Sequence, residues 1–236
     1  MPHRYSICKH AYACVSGGHL VFLDIERDQY LCLDLETTAI LLPYLRGRSF
    51  LFNDFQPPES ATLASISGTL AQLEQRNLIV STPFDQATPS VEQIAVPTRS
   101  ISGATGNKDQ RTAAGACAFI LAITRSTVVF RWRTFAKTVA HVTHRRESAA
   151  APRADVGLET LVQRFASYRS RFGKTDACLF NSVALLDFLA LHGLHPKLVF
   201  GVSMRPFQAH CWVQHEDIVL GDTLERVSQF TPIMVA

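Results

Sequence analysis

Two short apolar runs near the N-terminus, His19 to Asp24 and Gln29 to Leu33, are separated by the polar stretch Ile25-Glu26-Arg27-Asp28. That pattern predicts two strands joined by a tight turn. Gly17-Gly18 just before them reads as another turn, and no Gly-Lys-Ser follows to make it a phosphate loop. A helical stretch follows from Glu36 to Arg46, which Pro43 should kink or shorten. Ser60 suits the N-cap of a second helix, in which Leu63, Ile66, Leu70 and Leu73 recur at spacings of three and four. Leu78 to Val80 reads as a short closing strand, so residues 1–82 form one small domain.

Residues 83–111 change character. Pro83, Pro89 and Pro97 stand among Ser, Thr, Gly and Asn with no sustained period, which predicts a linker. Beyond it, in residues 112–236, the pattern is first helical and then strand-like. Ala113 to His144 reads as one or two apolar helices, and Leu161, Phe165, Tyr168 and Phe172 mark an amphipathic helix ended at Gly173. Asp176 is placed to cap a buried helix running to His192, with Gly193 as its stop. Lys197–Ser203, Ala209–His215 and Ile218–Asp222 then predict three strands of an antiparallel sheet, the last two joined by a turn near Glu216 and Asp217.

With 236 residues, 47% hydrophobic and 18% charged, the chain can bury real cores and is not a disordered protein. A formal charge of +3 gives no footprint for nucleic acid. Arg131, Arg133, Lys137, Arg145, Arg146 and Arg153 form a local basic zone, read as a solvated helix face. The apolar stretch from Ala113 to Thr124 ends at Arg125, too short for a bilayer span of about 20 residues, so no membrane contact is expected. The six cysteines include no Cys-x-x-Cys pair, and no metal or cofactor is expected. Met1 to Ser6 lacks a signal-peptide core, and a reducing cytoplasm is the expected setting.

Three residues carry candidate chemistry, in the order thiol, imidazole, carboxylate: Cys178, His210 and Asp222. Cys178 falls at the start of the buried helix, where unpaired amides and the helix dipole favour a thiolate. His210 lies in the apolar strand Ala-His-Cys-Trp-Val, and Asp222 ends the next strand. Together they form the set a thiol nucleophile requires: a base for its proton and an acid that fixes the base in one tautomer. By strand alternation, His210, Trp212 and Gln214 share one face, with Cys211, Val213 and His215 on the other. Cys117 and Cys32 read as core residues.

The segment from Asp176 to Pro232 carries Cys-Leu-Phe-Asn-Ser-Val-Ala-Leu-Leu, Leu-Val-Phe-Gly-Val, Arg-Pro-Phe-Gln-Ala-His-Cys-Trp-Val, Leu-Gly-Asp and Phe-Thr-Pro. It resembles the lasso-peptide leader peptidases, transglutaminase-like cysteine proteases of bacterial peptide-modification clusters. The resemblance implies that Cys178 is the nucleophile, His210 the general base and acid, and Asp222 the orienting carboxylate. Asn181 departs from the pattern, since the family often has a basic residue there.

Residues 1–82, through Val21–Asp24, Gln29–Asp34 and Thr37-Thr38-Ala39-Ile40, are similar to the small leader-recognition module of the pyrroloquinoline-quinone chaperone type. The implied fold is α+β: a winged-helix-like recognition domain, then a papain/transglutaminase-like α+β domain. The implied peptide-binding residues are Val21, Leu23, Tyr30, Leu31 and Leu33, with the leader added as an extra strand. The implied partners are a lasso precursor peptide and an ATP-dependent cyclase resembling asparagine synthetase. Two other readings stay open: an acyl transferase with the same residue order, and a non-catalytic peptide-binding adaptor.

Overall fold

The computed structural model describes residues 4–46, 63–82, 94–102, 112–147, 157–170 and 178–236. Ser60, Arg153, Gly173 and Asp176 lie outside the described residues, as do 83–93 and 103–111 of the expected linker. The chain divides into two units: Met1–Gln93 with Val202–Gln208 and Thr231–Met234, and Ile94–Gly201 with Ala209–Phe230 and Val235–Ala236.

The first unit opens with β1 (Arg4–Ile7), β2 (Ala11–Ser16), β3 (His19–Asp24) and β4 (Gln29–Cys32). Strands β2, β3 and β4 form an antiparallel sheet in that order, with the turn Gly17–Gly18 aligning Ser16 opposite His19. The next element, α1 (Leu35–Leu41), starts where the Asp34 carboxylate accepts the Thr37 backbone N–H at 2.8 Å. It passes into a 3-10 turn at Leu42–Tyr44 and then β5 (Leu45–Arg46), so the helix is shorter than Glu36–Arg46. Pro43 is the reason, since it has no N–H to continue the ladder. A 3-10 turn at Leu63–Ile66 leads into α2 (Ser67–Gln75), and β6 (Ile79–Thr82) follows. A second sheet orders β5-β1-β6, with β5 parallel and β6 antiparallel to β1. Leu20, Phe22, Ile40, Leu41, Leu70 and Leu73 fill the core.

In the second unit, α3 (Ala113–Trp132), α4 (Phe135–Glu147), α5 (Leu158–Arg169) and α6 (Cys178–Ala190) form the helical part. Phe119 of α3, Phe165 of α5 and Phe188 of α6 pack ring to ring at 5.4 and 5.5 Å. Helix α3 continues through Arg125 to a length of 20 residues, enough by length and composition to cross a membrane. One of its faces (Phe119, Ala122, Ser126, Val129) is buried within the protein.

Asp187 of α6 is buried; it accepts a hydrogen bond from Ser126 at 2.9 Å and pairs with Arg145 of α4. Arg145, expected on a solvated face, is thus tied to an interior carboxylate.

The sheet that follows orders β11-β8-β9-β10-β7. Its strands are β7 (Arg99–Ile101), β8 (Lys197–Met204), β9 (Phe207–His215), β10 (Ile218–Leu220) and β11 (Thr231–Val235), with α7 (Leu224–Val227) between β10 and β11. Part of the expected linker is therefore a strand: β7 runs parallel to β10. Strand β10 pairs antiparallel with Val213–His215 alone, so residues 209–212 of β9 extend past its end. The site lies at that overhang.

Candidate active site

Cys178 is the first residue of α6, and its sulfur is half-buried. His210 sits on the overhanging part of β9 with a buried side chain. Asp222 follows Gly221, whose φ of +75° turns the chain directly after β10. His210 Nε2 and Asp222 Oδ2 are 2.6 Å apart, and the Asp222 Oδ1 accepts the Thr223 N–H at 2.8 Å. Cys178 lines the same cavity as this pair, and His210 acts on its thiol to lower it.

Electrostatics follow from these contacts. The Cys178 thiol is lowered to about 4, first by a hydrogen bond from the Cys211 side chain, then by one from His210, against the opposing effect of burial. Burial works to lower His210, yet the Asp222 carboxylate and the Cys178 sulfur raise it above its ordinary value. Burial likewise opposes the ionisation of Asp222, and the hydrogen bonds from His210 and the Thr223 N–H hold it below the usual carboxylate range. Cys178 is favoured as a thiolate near neutral pH, beside a His210 that holds its proton to a higher pH than an ordinary imidazole.

The ring of His210 is held from both sides. Trp212 stacks at 6.3 Å and Phe230 lies at 5.1 Å. Trp212 is itself fixed: its indole N–H donates to Gln214 Oε1 at 3.1 Å, and the Gln214 amide donates to the Ala95 and Glu216 carbonyls at 2.7 Å. Gly201 on β8 lies under this indole, where an added Cβ would come within 2.8 Å of the ring.

Cys178, His210 and Asp222 line a cavity of about 620 Å³. Val162, Phe165, Leu185 and Leu220 give it apolar walls, and Arg169 and Arg226 give it cationic ones. Among the described residues no three His, Cys, Asp or Glu side chains cluster as a metal site.

Several cavity residues were not expected from the sequence. Cys211 falls by alternation on the strand face away from His210, yet it lines the same cavity as Cys178 and His210. Arg169 of α5 directs Nε and Nη2 to Asn181 Oδ1 at 3.0 and 2.8 Å. At Asn181 an amide thus holds a guanidinium supplied by a neighbouring helix. Periodicity does not reveal such a pair, since the residues belong to different elements.

The five residues expected to bind peptide divide by burial. Val21 and Leu23 are fully buried in β3 and Leu33 nearly so, so their side chains serve the interior. Tyr30 and Leu31 on β4 are half-buried, and the Tyr30 ring meets Phe207 edge-on at 5.6 Å.

Comparison with curated proteins and with solved structures returns no match in either set. Residues 119–235, which contain α6, β9 and the positions of Cys178, His210 and Asp222, match the family model of the transglutaminase-like superfamily.

Proposed function

We propose that the protein is a cytoplasmic cysteine peptidase that binds the leader of a ribosomally made lasso precursor and cuts it away. The freed core then passes to an ATP-dependent, asparagine-synthetase-like cyclase that closes the macrolactam. The observation that carries this reading is the His210–Asp222 hydrogen bond on the wall of a cavity that Cys178 also lines. In this reading the Cys178 thiolate attacks the carbonyl of the scissile bond. The α6 N-terminus supplies positive potential to the developing oxyanion. His210 Nδ1 hands its proton to the leaving amine, and Asp222 keeps the ring in register. Water, deprotonated by His210, then hydrolyses the thioester.

The N-terminal unit is read as a winged-helix-like recognition domain. Among the described residues β4 pairs with β3 alone. Its outer edge offers main-chain groups to an added leader strand, with Tyr30 and Leu31 as side-chain contacts.

The test is the Cys178→Ala variant with a full precursor peptide. It is expected to bind leader with unchanged affinity and to cut nothing; cleavage at the wild-type rate would remove Cys178 as nucleophile. An acyl transferase remains the second reading, because the superfamily includes both chemistries. Product mass separates them: addition of water at one bond marks hydrolysis, and an amine adduct marks transfer.

A further inference from the structure

Helix α3 carries apolar side chains on its outward side as well as on its inward one. Inward, Phe119 packs on Phe165 and the Ser126 hydroxyl donates to Asp187. Outward, Ile120 is 57% exposed, Val128 53% and Trp132 79%, with Leu121 exposed beside them. Leu121, Val128 and Trp132 recur at spacings of seven and four, so they share one stripe. From Ile120 to Trp132 that stripe runs about 18 Å. A single surface leucine is ordinary, whereas large apolar side chains gathered on one outward helix face mark a contact surface. None of them lines the cavity that holds Cys178.

Charge decides what covers this face. Arg125 and Arg131 are exposed on the same helix, and Arg133 is exposed at its C-terminal cap. Residues 110–146 hold seven Lys and Arg and no Asp or Glu. One of the seven, Arg145, is paired with Asp187. Thr127 turns its hydroxyl back to the Ile123 carbonyl at 2.8 Å, which satisfies that donor within the helix. An apolar stripe with cations beside it and an indole at one end fits the boundary of a bilayer. Acyl chains take the stripe, anionic headgroups take the guanidinium groups, and the indole sits at headgroup level.

We propose that the outward face of α3 docks on an anionic bilayer, with Ile120, Leu121, Val128 and Trp132 in the interface and Arg125, Arg131 and Arg133 at the lipid phosphates. The helix lies along the surface and does not cross it, because Phe165 and Asp187 hold its inward side. The long stem of Arg125 stays on the stripe while its head reaches the phosphates. The surface is separate from the peptidase reading and stands without it.

The experiment mixes the full-length protein with vesicles of phosphatidylcholine, alone or with an equal share of phosphatidylglycerol, and scores flotation and tryptophan emission. The chain has two tryptophans, and Trp212 is 2% exposed, so a change in emission reports Trp132. Anionic vesicles are expected to float the protein and shift its emission to the blue, and neutral vesicles to do neither. Trp132→Phe should still float and should lose the shift. Ile120→Ser with Val128→Ser, and separately Arg125→Gln with Arg131→Gln, should each weaken binding on the order of tenfold. All these positions are exposed, so the variants keep the fold, and the wild-type comparison needs none of them.

Absence of flotation, equal binding to neutral vesicles, or a blue shift that survives in Trp132→Phe overturns the proposal. So does self-association in sedimentation equilibrium that disappears with Ile120→Ser and Val128→Ser while no vesicle is bound, which assigns the face to a second copy of the chain.

Discussion

At the scale of single residues, the site is a proton arrangement that can be titrated. Cys178 ionises near 4, and His210 holds its proton to above its ordinary value of 6.5. Below the first value the nucleophile is protonated; above the second the leaving amine has no donor. The pH profile of kcat/KM for precursor cleavage is therefore expected to be a bell, with its acid limb near 4 and its alkaline limb above 6.5. A rising limb centred near 8.5 would mark an ordinary thiol instead. Asp222→Asn keeps the shape of the carboxylate and loses its charge, leaving the His210 tautomer unfixed. Its kcat is expected to drop on the order of 10²–10⁴-fold, with a smaller change in KM, as steady-state kinetics would record.

At the scale of elements, two supports outside the reacting atoms carry measurable weight. Arg145 joins α4 to the buried Asp187 of α6. Arg145→Ala leaves that carboxylate in the interior, hydrogen-bonded to the Ser126 hydroxyl but without its counter-ion, and should cost about 3–5 kcal/mol in denaturant unfolding. Gly201→Ala drives a methyl into the Trp212 ring and should cost about 1–3 kcal/mol, with a fall in kcat as the His210 ring shifts.

Sequence pattern revealed some elements and hid others for physical reasons. Strand β3 and helices α5 and α6 were legible because burial imposes a period on Leu161, Phe165 and Tyr168, or a continuous apolar run on Val183 to Leu189. Strand β7 was not, since Arg99 and Ser100 are exposed and only pairing with β10 makes them a strand. Strand β2, with Ala11, Ala13, Cys14 and Ser16, has little β-branched character, and it owes its form to β3. Cys178, His210 and Asp222 could be named in advance because each stands at the end of an element or in an apolar strand. Cys211 could not, because alternation puts it on the face away from His210 while the cavity is lined by both.

At the scale of the molecule, two units of different composition share one chain. If the first holds the leader, the scissile bond reaches Cys178 at a raised local concentration rather than by free encounter. A precursor trimmed of its leader should then be cut at the same bond with kcat/KM lower by on the order of 10²–10⁴-fold, and adding the leader in trans should not restore it. Equal rates for full and trimmed substrates would remove recognition from the first unit. Cys178, His210, Cys211 and Asp222 all fall in the last 59 positions, from α6 to the end of the chain at residue 236. If residues 1–82 choose the precursor, exchange of that stretch for another recognition half would redirect the choice while leaving the chemistry intact, as swapping an address leaves the message unaltered.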